Sequence, residues 1–297
     1  MKMDEYRSLE NAVKGVRGTG VRVSGKRAVS GGDINSAFIL KLSDGSSIFM
    51  KSNHIEKMEL FKAERDGLAA IAKTGTIKTP EFLAVGTEGE EAFLLLELIE
   101  EGQKTTGFFA NFGKSLAELH KADTSEFVPG GTYGFTGDNY IGSGHQKNTP
   151  TDSWVEFFTE YRLKVQLERA ASYFDDDDKK NIEKLMKKLP KLLTEPKKPS
   201  LLHGDLWGGN FLAGRNGKAW LIDPAVYVGS AEADIAMTEL FGGFSQAFYE
   251  EYKKSGLITR GYEKRRDIYN LYHLLNHLNL FGSGYLASVR RILSENV

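Results

Sequence analysis

Within Leu201-Leu-His-Gly-Asp-Leu-Trp-Gly-Gly-Asn-Phe-Leu212, and then Trp220-Leu-Ile-Asp-Pro224, three oxygen-bearing side chains stand in a fixed rhythm. Asp205 comes first, Asn210 five residues on, and Asp223 after a short apolar run. Leu201-Leu202 before Asp205, Phe211-Leu212 after it and Gly208-Gly209 between predict a tight loop bracketed by short strands. The run 219–222 reads as a short buried strand with Asp223 at its end. Phosphoryl transfer needs such a set: one carboxylate to orient and deprotonate the accepting hydroxyl, and an Asn and an Asp to hold magnesium on nucleotide phosphates. Each residue has a bland reading. Asp205 could be a surface-loop Asp, Asn210 a turn Asn after Gly-Gly, and Asp223 a strand-ending Asp before proline. Their joint spacing outweighs those readings.

Other residues gain meaning from this loop. Lys51 ends the strand-like run Ile48-Phe-Met, where a lysine can pair with the α- and β-phosphates of ATP. Phe61, Glu64, Leu68 and Ile71 share a helical stripe, so Glu64 sits on an apolar face and needs a partner. Lys51 is the expected one. Gly31 and Gly32, in Ser30-Gly-Gly-Asp-Ile-Asn-Ser36, supply flexible backbone that can close over phosphates. Backbone groups of 97–101, including Glu97 and Ile99, can join two lobes and hold adenine; a strand end with acidic residues is the equal alternative. His203 is expected to fix the loop by a hydrogen bond; a base is the alternative. It stands with Trp207, whose ring face can pack on a sugar, as a candidate on the acceptor side. The set implies an ATP- and magnesium-dependent kinase.

The pattern along the chain is uneven. Val21-Arg-Val-Ser24, 37–42, 47–51, 82–85 and 92–99 read as strands, with Asp44-Gly45 as a hairpin turn and a helix over 56–73. Beyond Gly102, 109–121, 152–172, 175–193 and 231–254 read as helices, with more from Tyr262 onward. We therefore expect an α+β, two-lobed architecture: a small β-rich N-terminal lobe over 1–100 for ATP and a larger, mainly helical C-terminal lobe over 101–297 for catalysis and the acceptor.

Composition narrows the chemistry. The chain has 297 residues, a net charge of -1 and no cysteine. The charge points to neither nucleic acid nor a membrane surface, and thiolate metal sites, a cysteine nucleophile and disulfides are excluded. The N-terminus has no signal-peptide pattern and no apolar run approaches the ~20 residues of a membrane span, so a cytoplasmic protein is expected. Three features are read as structural. Asp175 to Asp178 suit a helix start, His120 a core position, and His273, Asn276 and His277 helix packing rather than zinc.

Taken together, the chain resembles the fructosamine kinase (ketosamine-3-kinase) family, relatives of the aminoglycoside phosphotransferases within the protein-kinase-like fold. The resemblance rests on Gly31-Gly-Asp-Ile-Asn35, Phe49-Met-Lys51, Phe61-Lys-Ala-Glu-Arg-Asp-Gly-Leu68, Leu202-His-Gly-Asp-Leu-Trp-Gly-Gly-Asn210, Leu221-Ile-Asp-Pro-Ala225, 227–244 and 271–285. It covers nearly the whole chain, and Leu-Trp-Gly-Gly-Asn and Leu-Phe-Gly-Gly-Phe are its narrowest marks. It implies transfer of the ATP γ-phosphate to the 3-hydroxyl of a ketosamine, the product of sugar and amine, after which the amine is released. The implied acceptor is a small-molecule ketosamine or a glycated protein lysine. By position Asp205 matches the family's catalytic Asp, Asn210 and Asp223 its metal ligands, Lys51 its phosphate-contacting Lys, and Glu64 that lysine's partner. Some members carry a loop cysteine linked to redox control and disulfide-joined dimers; with no cysteine here, such a dimer is not possible, and oligomeric state stays open. Gly229-Ser-Ala-Glu232 also stands where the family commonly has Gly-His-Arg-Glu. Two rivals remain: a kinase of the same fold for another alcohol such as an aminoglycoside or choline, and a nucleotide-binding module without catalysis.

Overall fold

The structure, a computed structural model, describes residues 5–29 and 34–296. Gly31 and Gly32 lie outside the described residues. The N-terminal part contains α1 (Leu9–Arg17), β1 (Val23–Val29), β2 (Ser36–Leu42), β3 (Ser47–His54), α2 (Met58–Lys73), β4 (Phe82–Glu88) and β5 (Glu91–Glu97). Its strands form one antiparallel sheet in the order β1-β2-β3-β5-β4. Asp44 and Gly45 turn β2 into β3: the Asp44 carboxylate accepts from the Ser46 backbone N–H at 2.9 Å, and Gly45 takes φ 87°.

The two faces of this sheet explain where Lys51 ends up. Leu40, Leu42, Ile48, Met50 and Leu95 bury one face under Ala12 and Val13 of α1. Val85, Leu94 and Leu96 bury the other under Phe61 and Leu68 of α2. Side chains alternate along a strand, so Lys51 shares the α2 face with its cross-strand partner Leu94. Helix α1 was not foreseen. Only Ala12 and Val13 of its residues are buried, too short an apolar stripe to stand out, though Ser8 caps its first turn by accepting from the Asn11 N–H.

The C-terminal part is mainly helical. It runs α3 (Phe108–Lys121), β6 (Asn139–Ile141), β7 (Gly144–Gln146), α4 (Trp154–Phe158), one turn of π-helix (Thr159–Leu163), α5 (Lys164–Arg169) and α6 (Asp176–Leu192). Then come β8 (Ser200–Leu202), β9 (Phe211–Ala213), β10 (Ala219–Leu221), β11 (Tyr227–Gly229), α7 (Ala231–Leu240), α8 (Gln246–Lys253), α9 (Tyr262–Phe281) and α10 (Leu286–Glu295). A single apolar core joins α3, the π-helical turn and its flanking helices, β8 to β11 and α9. At the start of α6, Asp175 and Asp178 form a capping box, and both carboxylates bond Arg290 of α10.

Three expectations are corrected. The helix expected over 231–254 is two helices, broken where Gly242 and Gly243 take φ 74° and 97°. The helix over 152–172 is interrupted by the π-helical turn, which no periodicity rule signals. The strand over 92–99 ends at Glu97, whose carboxylate turns back to accept from the Glu81 N–H. Beyond it the chain is pinned to the C-terminal part, as the Gly102 N–H donates to the Ala213 carbonyl at 2.7 Å.

Candidate active site

Two short antiparallel pairs, β8 with β11 and β9 with β10, hold the central motif. The chain leaves β8 at His203, passes Asp205 and enters β9 just after Asn210. Gly204 adopts φ 82°, and a Cβ there would lie 2.0 Å from the Ala225 carbonyl oxygen, so only glycine fits. Asn210 turns its amide nitrogen onto Asp205, 2.8 Å from the backbone carbonyl and 3.1 Å from Oδ2. These bonds use the amide nitrogen and not the amide oxygen.

His203 is fully buried, and both ring nitrogens are used inside the protein. Nδ1 accepts from the Asp205 N–H at 3.3 Å and Nε2 donates to the Ile222 carbonyl at 2.9 Å. Burial lowers its pKa and keeps the ring neutral. His203 thus fixes the loop, and with its ring buried and both nitrogens engaged it presents no group to an acceptor, contrary to the expectation from the sequence. A residue missed in the sequence completes the loop. Asp234 of α7 accepts from the N–H groups of His203 at 2.7 Å and Gly204 at 2.9 Å. His120, a buried core residue as expected, bonds Asp234 at 3.2 Å and the Tyr252 hydroxyl at 2.6 Å. The signal was available: Glu232 and Asp234 interrupt the otherwise apolar Ala231-Glu-Ala-Asp-Ile-Ala-Met237, and a buried carboxylate needs a partner. Glu232 finds its own in Arg265, at 2.7 Å, so the Gly-Ser-Ala-Glu segment is packed inside the lobe.

Asp223 has φ 53°, the sole positive φ outside glycine among the described residues, and such strain is typical of functional positions. Its carboxylate accepts from Lys51 Nζ, which also donates to Glu64 at 2.7 Å. The ammonium thus ties the sheet, α2 and the Asp223 loop together. Gly67, one turn after Glu64, gives this approach room: a Cβ there would sit tightly against Pro224 Cγ and Val226 Cγ2, at 3.2 Å.

Electrostatics set these groups apart. Burial would lower the Lys51 pKa, but Asp223 and Glu64 outweigh it and hold the ammonium firmly charged. Burial raises Glu64, against the pull of Lys51. Asp205 is pushed up to about 7, chiefly by desolvation, with Asn210 pulling down and Asp223 adding repulsion. Asp205 is nonetheless partly exposed to solvent. A carboxylate poised near neutrality suits proton acceptance from a hydroxyl.

The donors fit magnesium. Asn210 and Asp223 offer hard oxygens, and the Lys51 ammonium lies on the Asp223 carboxylate where a cation would be attracted. Among the described residues no group of three or more His, Cys, Asp or Glu could hold a metal ion alone. Magnesium commonly completes its shell with phosphate oxygens and water. His273 and His277 pack as helix residues, with His277 Nδ1 on the His273 carbonyl at 2.8 Å.

At the rim, Trp207 is 40% exposed and its ring lies over Gly209. Gly208 abuts Gly243, where a Cβ would be 2.8 Å from the Gly208 Cα. The Leu-Trp-Gly-Gly-Asn and Leu-Phe-Gly-Gly-Phe blocks, far apart in sequence, therefore meet through glycines. Glu97 and Ile99 are half-buried at the start of the connection between the two parts.

Comparison with known proteins bears on this arrangement. A family model described as fructosamine kinase matches residues 6–297. A Synechocystis protein named as a probable ketoamine kinase is 37% identical over 294 residues, covering 98% of this chain and 96% of its own. A chloroplastic protein-ribulosamine 3-kinase of Oryza sativa subsp. japonica is 40% identical, covering 94% of this chain and 80% of its own. Among solved structures, a Haemophilus somnus protein assigned as a fructosamine-3-kinase superimposes with a TM-score of 0.87 at 28% identity, covering 98% and 97% of the two chains. An aminoglycoside phosphotransferase bound to AMP-PNP and hygromycin B shares the fold, with a TM-score of 0.66 at 16% identity.

Proposed function

The chain belongs to the fructosamine kinase family, and on that premise we propose that it transfers the γ-phosphoryl group of ATP to the 3-hydroxyl of a ketosamine. Asp205 aligns the hydroxyl and accepts its proton as the oxygen attacks phosphorus. Lys51, oriented by Glu64, meets the α- and β-phosphates. Asn210 and Asp223 would hold magnesium, which neutralises charge on the phosphates. The backbone at Glu97 and Ile99 receives adenine, and a phosphate role for Gly31 and Gly32, which lie outside the described residues, rests on the sequence alone. Trp207 offers its exposed face to the sugar. The 3-phosphorylated adduct then breaks down and frees the amine. The N-terminal lobe over 1–100 carries the nucleotide side and 101–297 the acceptor side.

One observation carries this reading: Lys51 Nζ bonds Glu64 and Asp223 together, beside the Asp205–Asn210 pair. Three elements distant in sequence converge on the groups that phosphoryl transfer needs. The experiment is ADP release with magnesium and ATP, comparing fructosamine- and ribulosamine-type acceptors, free and on protein lysines, with an aminoglycoside and choline. Turnover confined to ketosamines is expected. Turnover only on another alcohol would keep the mechanism and replace the acceptor. ATP binding without turnover on any acceptor would leave a nucleotide-binding module.

A further inference from the structure

Among the described residues, Arg162 is a buried cation whose hydrogen bonds all go to carbonyl and amide oxygens, none to a carboxylate. It lies in the π-helical turn, is 0% exposed, and its Nε has no hydrogen-bond partner. Placing an unpaired charge there is costly, so its remaining contacts must matter. Nη1 donates to the carbonyls of Lys147 at 2.8 Å and Tyr161 at 3.0 Å. The guanidinium also stacks on Tyr227 and Phe157, 4.1 Å and 4.5 Å from their centroids. Nη2 donates to Asn148 Oδ1 at 2.5 Å.

From Asn148 a chain of amides begins. Asn148 Nδ2 donates to Asn139 Oδ1 at 3.0 Å, and Asn139 Nδ2 donates to the Val226 carbonyl at 2.6 Å. A second branch starts at Tyr272, whose hydroxyl donates to Gln146 Oε1. Gln146 Nε2 then donates to Asn139 Oδ1 at 2.8 Å and to the Ala225 carbonyl at 3.2 Å. All five side chains are at least 96% buried.

Direction is the informative property of this relay. An amide can present either end, so a bare Asn–Gln cluster has no fixed polarity. Arginine can only donate and stays charged. Its donation into Asn148 Oδ1 turns the Asn148 nitrogen toward Asn139, and the Asn139 nitrogen toward Val226. Asn148 Nδ2 also donates to the Gly137 carbonyl at 3.0 Å, and the last donors of the two branches, Asn139 Nδ2 and Gln146 Nε2, reach the carbonyls of Val226 and Ala225, which follow Asp223 by three and two residues. From the opposite side, the Ala225 N–H donates to the His203 carbonyl at 2.8 Å. The segment after the strained Asp223 is clamped between the catalytic loop and the relay.

We propose that Arg162 is a positioning residue for Asp223: acting through Asn148 and Asn139, with Tyr272 and Gln146 as a second arm, it fixes the backbone that aims the Asp223 carboxylate at the nucleotide-bound magnesium. This rests on the reading of Asp223 as a metal ligand. Outer partners of ligating groups commonly set metal affinity by 10- to 100-fold.

The test is titration calorimetry of ADP with and without magnesium, read as the ratio of the two Kd values. Partial misfolding lowers the number of sites but leaves that ratio unchanged. Arg162→Met is expected to shrink the magnesium-dependent gain in ADP affinity about tenfold. Arg162→Lys, still an obligate donor, should restore part of it. Tyr272→Phe should reduce the gain about threefold, and it decides the matter if Arg162→Met does not fold. Asp223→Asn is the control. If it abolishes the gain while Arg162→Met and Tyr272→Phe keep it in full, the relay has no such role. If Asp223→Asn itself keeps the gain, the metal-ligand reading fails and the relay proposal falls with it.

Discussion

Asp205, Asn210 and Asp223 come from the single stretch between β8 and β11, whereas the polar layer behind them draws Asn139, Gln146, Asn148, Arg162 and Tyr272 from a hairpin, a loop, a π-helical turn and a long helix. In the first region function sits at short range, in spacing that the chain cannot vary without losing the loop. In the second the same kind of polar atom is positioned by long-range packing, and no local spacing marks it. The loop around Asp205 is partly exposed, while the layer is closed to water. The difference teaches that a local motif can place the reacting groups, but their orientation is held by contacts the motif does not contain.

Substitutions can break or sharpen this contrast. The largest effect is expected at the reacting carboxylate. Asp205→Asn should lower kcat by about a thousandfold or more and leave ADP affinity nearly unchanged. The same change should stabilise the nucleotide-free protein. Folding raises the Asp205 pKa above its ordinary 3.8, so the ionised group costs stability above that value, most fully once pH exceeds about 7. Melting curves of the variant at about pH 8 should lie a few degrees above the parent, with the gain shrinking toward about pH 5. Absence of that gain would remove the desolvated-base reading.

Gly204→Ala comes next, because it inserts a Cβ 2.0 Å from the Ala225 oxygen at φ 82°. A loss of about 3 kcal/mol in urea unfolding is expected, with turnover lost in parallel. A neutral result would show that the loop yields more than its geometry suggests.

Asp234→Asn tests the support beneath the loop and should cost about 2 kcal/mol. Burial would raise the Asp234 pKa, but the hydrogen bonds from His120 and from the His203 and Gly204 N–H groups outweigh it and hold the carboxyl below its ordinary 3.8. A depressed folded pKa contributes stability above the unfolded value and loses it as pH falls through the folded one. Acid should therefore erode the parent's stability from about pH 4 downward, and the variant should lose this part of the slope. The effect should reach turnover more than substrate affinity, since Asp234 touches only backbone and His120.

Glu64→Gln should act most mildly, raising KM for ATP about tenfold with little change in the acceptor KM, because Lys51 keeps Asp223 as a partner. An acceptor-side effect instead would place the Lys51 pair in the wrong half of the cleft.

Much of this arrangement is legible in the sequence. The Asp44-Gly45 hairpin, the Glu64 stripe and the loop around Asp205 each rest on local rules of turn, period or spacing, and such rules act within a few residues. Where local rules compete, the reading fails. Gly242 and Gly243 break a helix that periodicity would have continued, since the backbone must pass beside Gly208. Helix α1 escapes because its burial depends on a sheet formed later in the chain.

What the sequence by itself determined, then, is which groups are available and which local frame carries each: Lys51 on a strand, Glu64 on a helix stripe, Asp205 and Asn210 in one loop, Asp223 at a strand end. Only the tertiary structure decided that one ammonium joins Glu64 to Asp223, that Asp234 holds the loop from beneath, and that a buried arginine orients the amides behind Asp223. These depend on burial, and burial is a property of the assembled fold: a charge or an amide is cheap in water and demanding in the core, so its partners are chosen by packing between segments far apart in the chain.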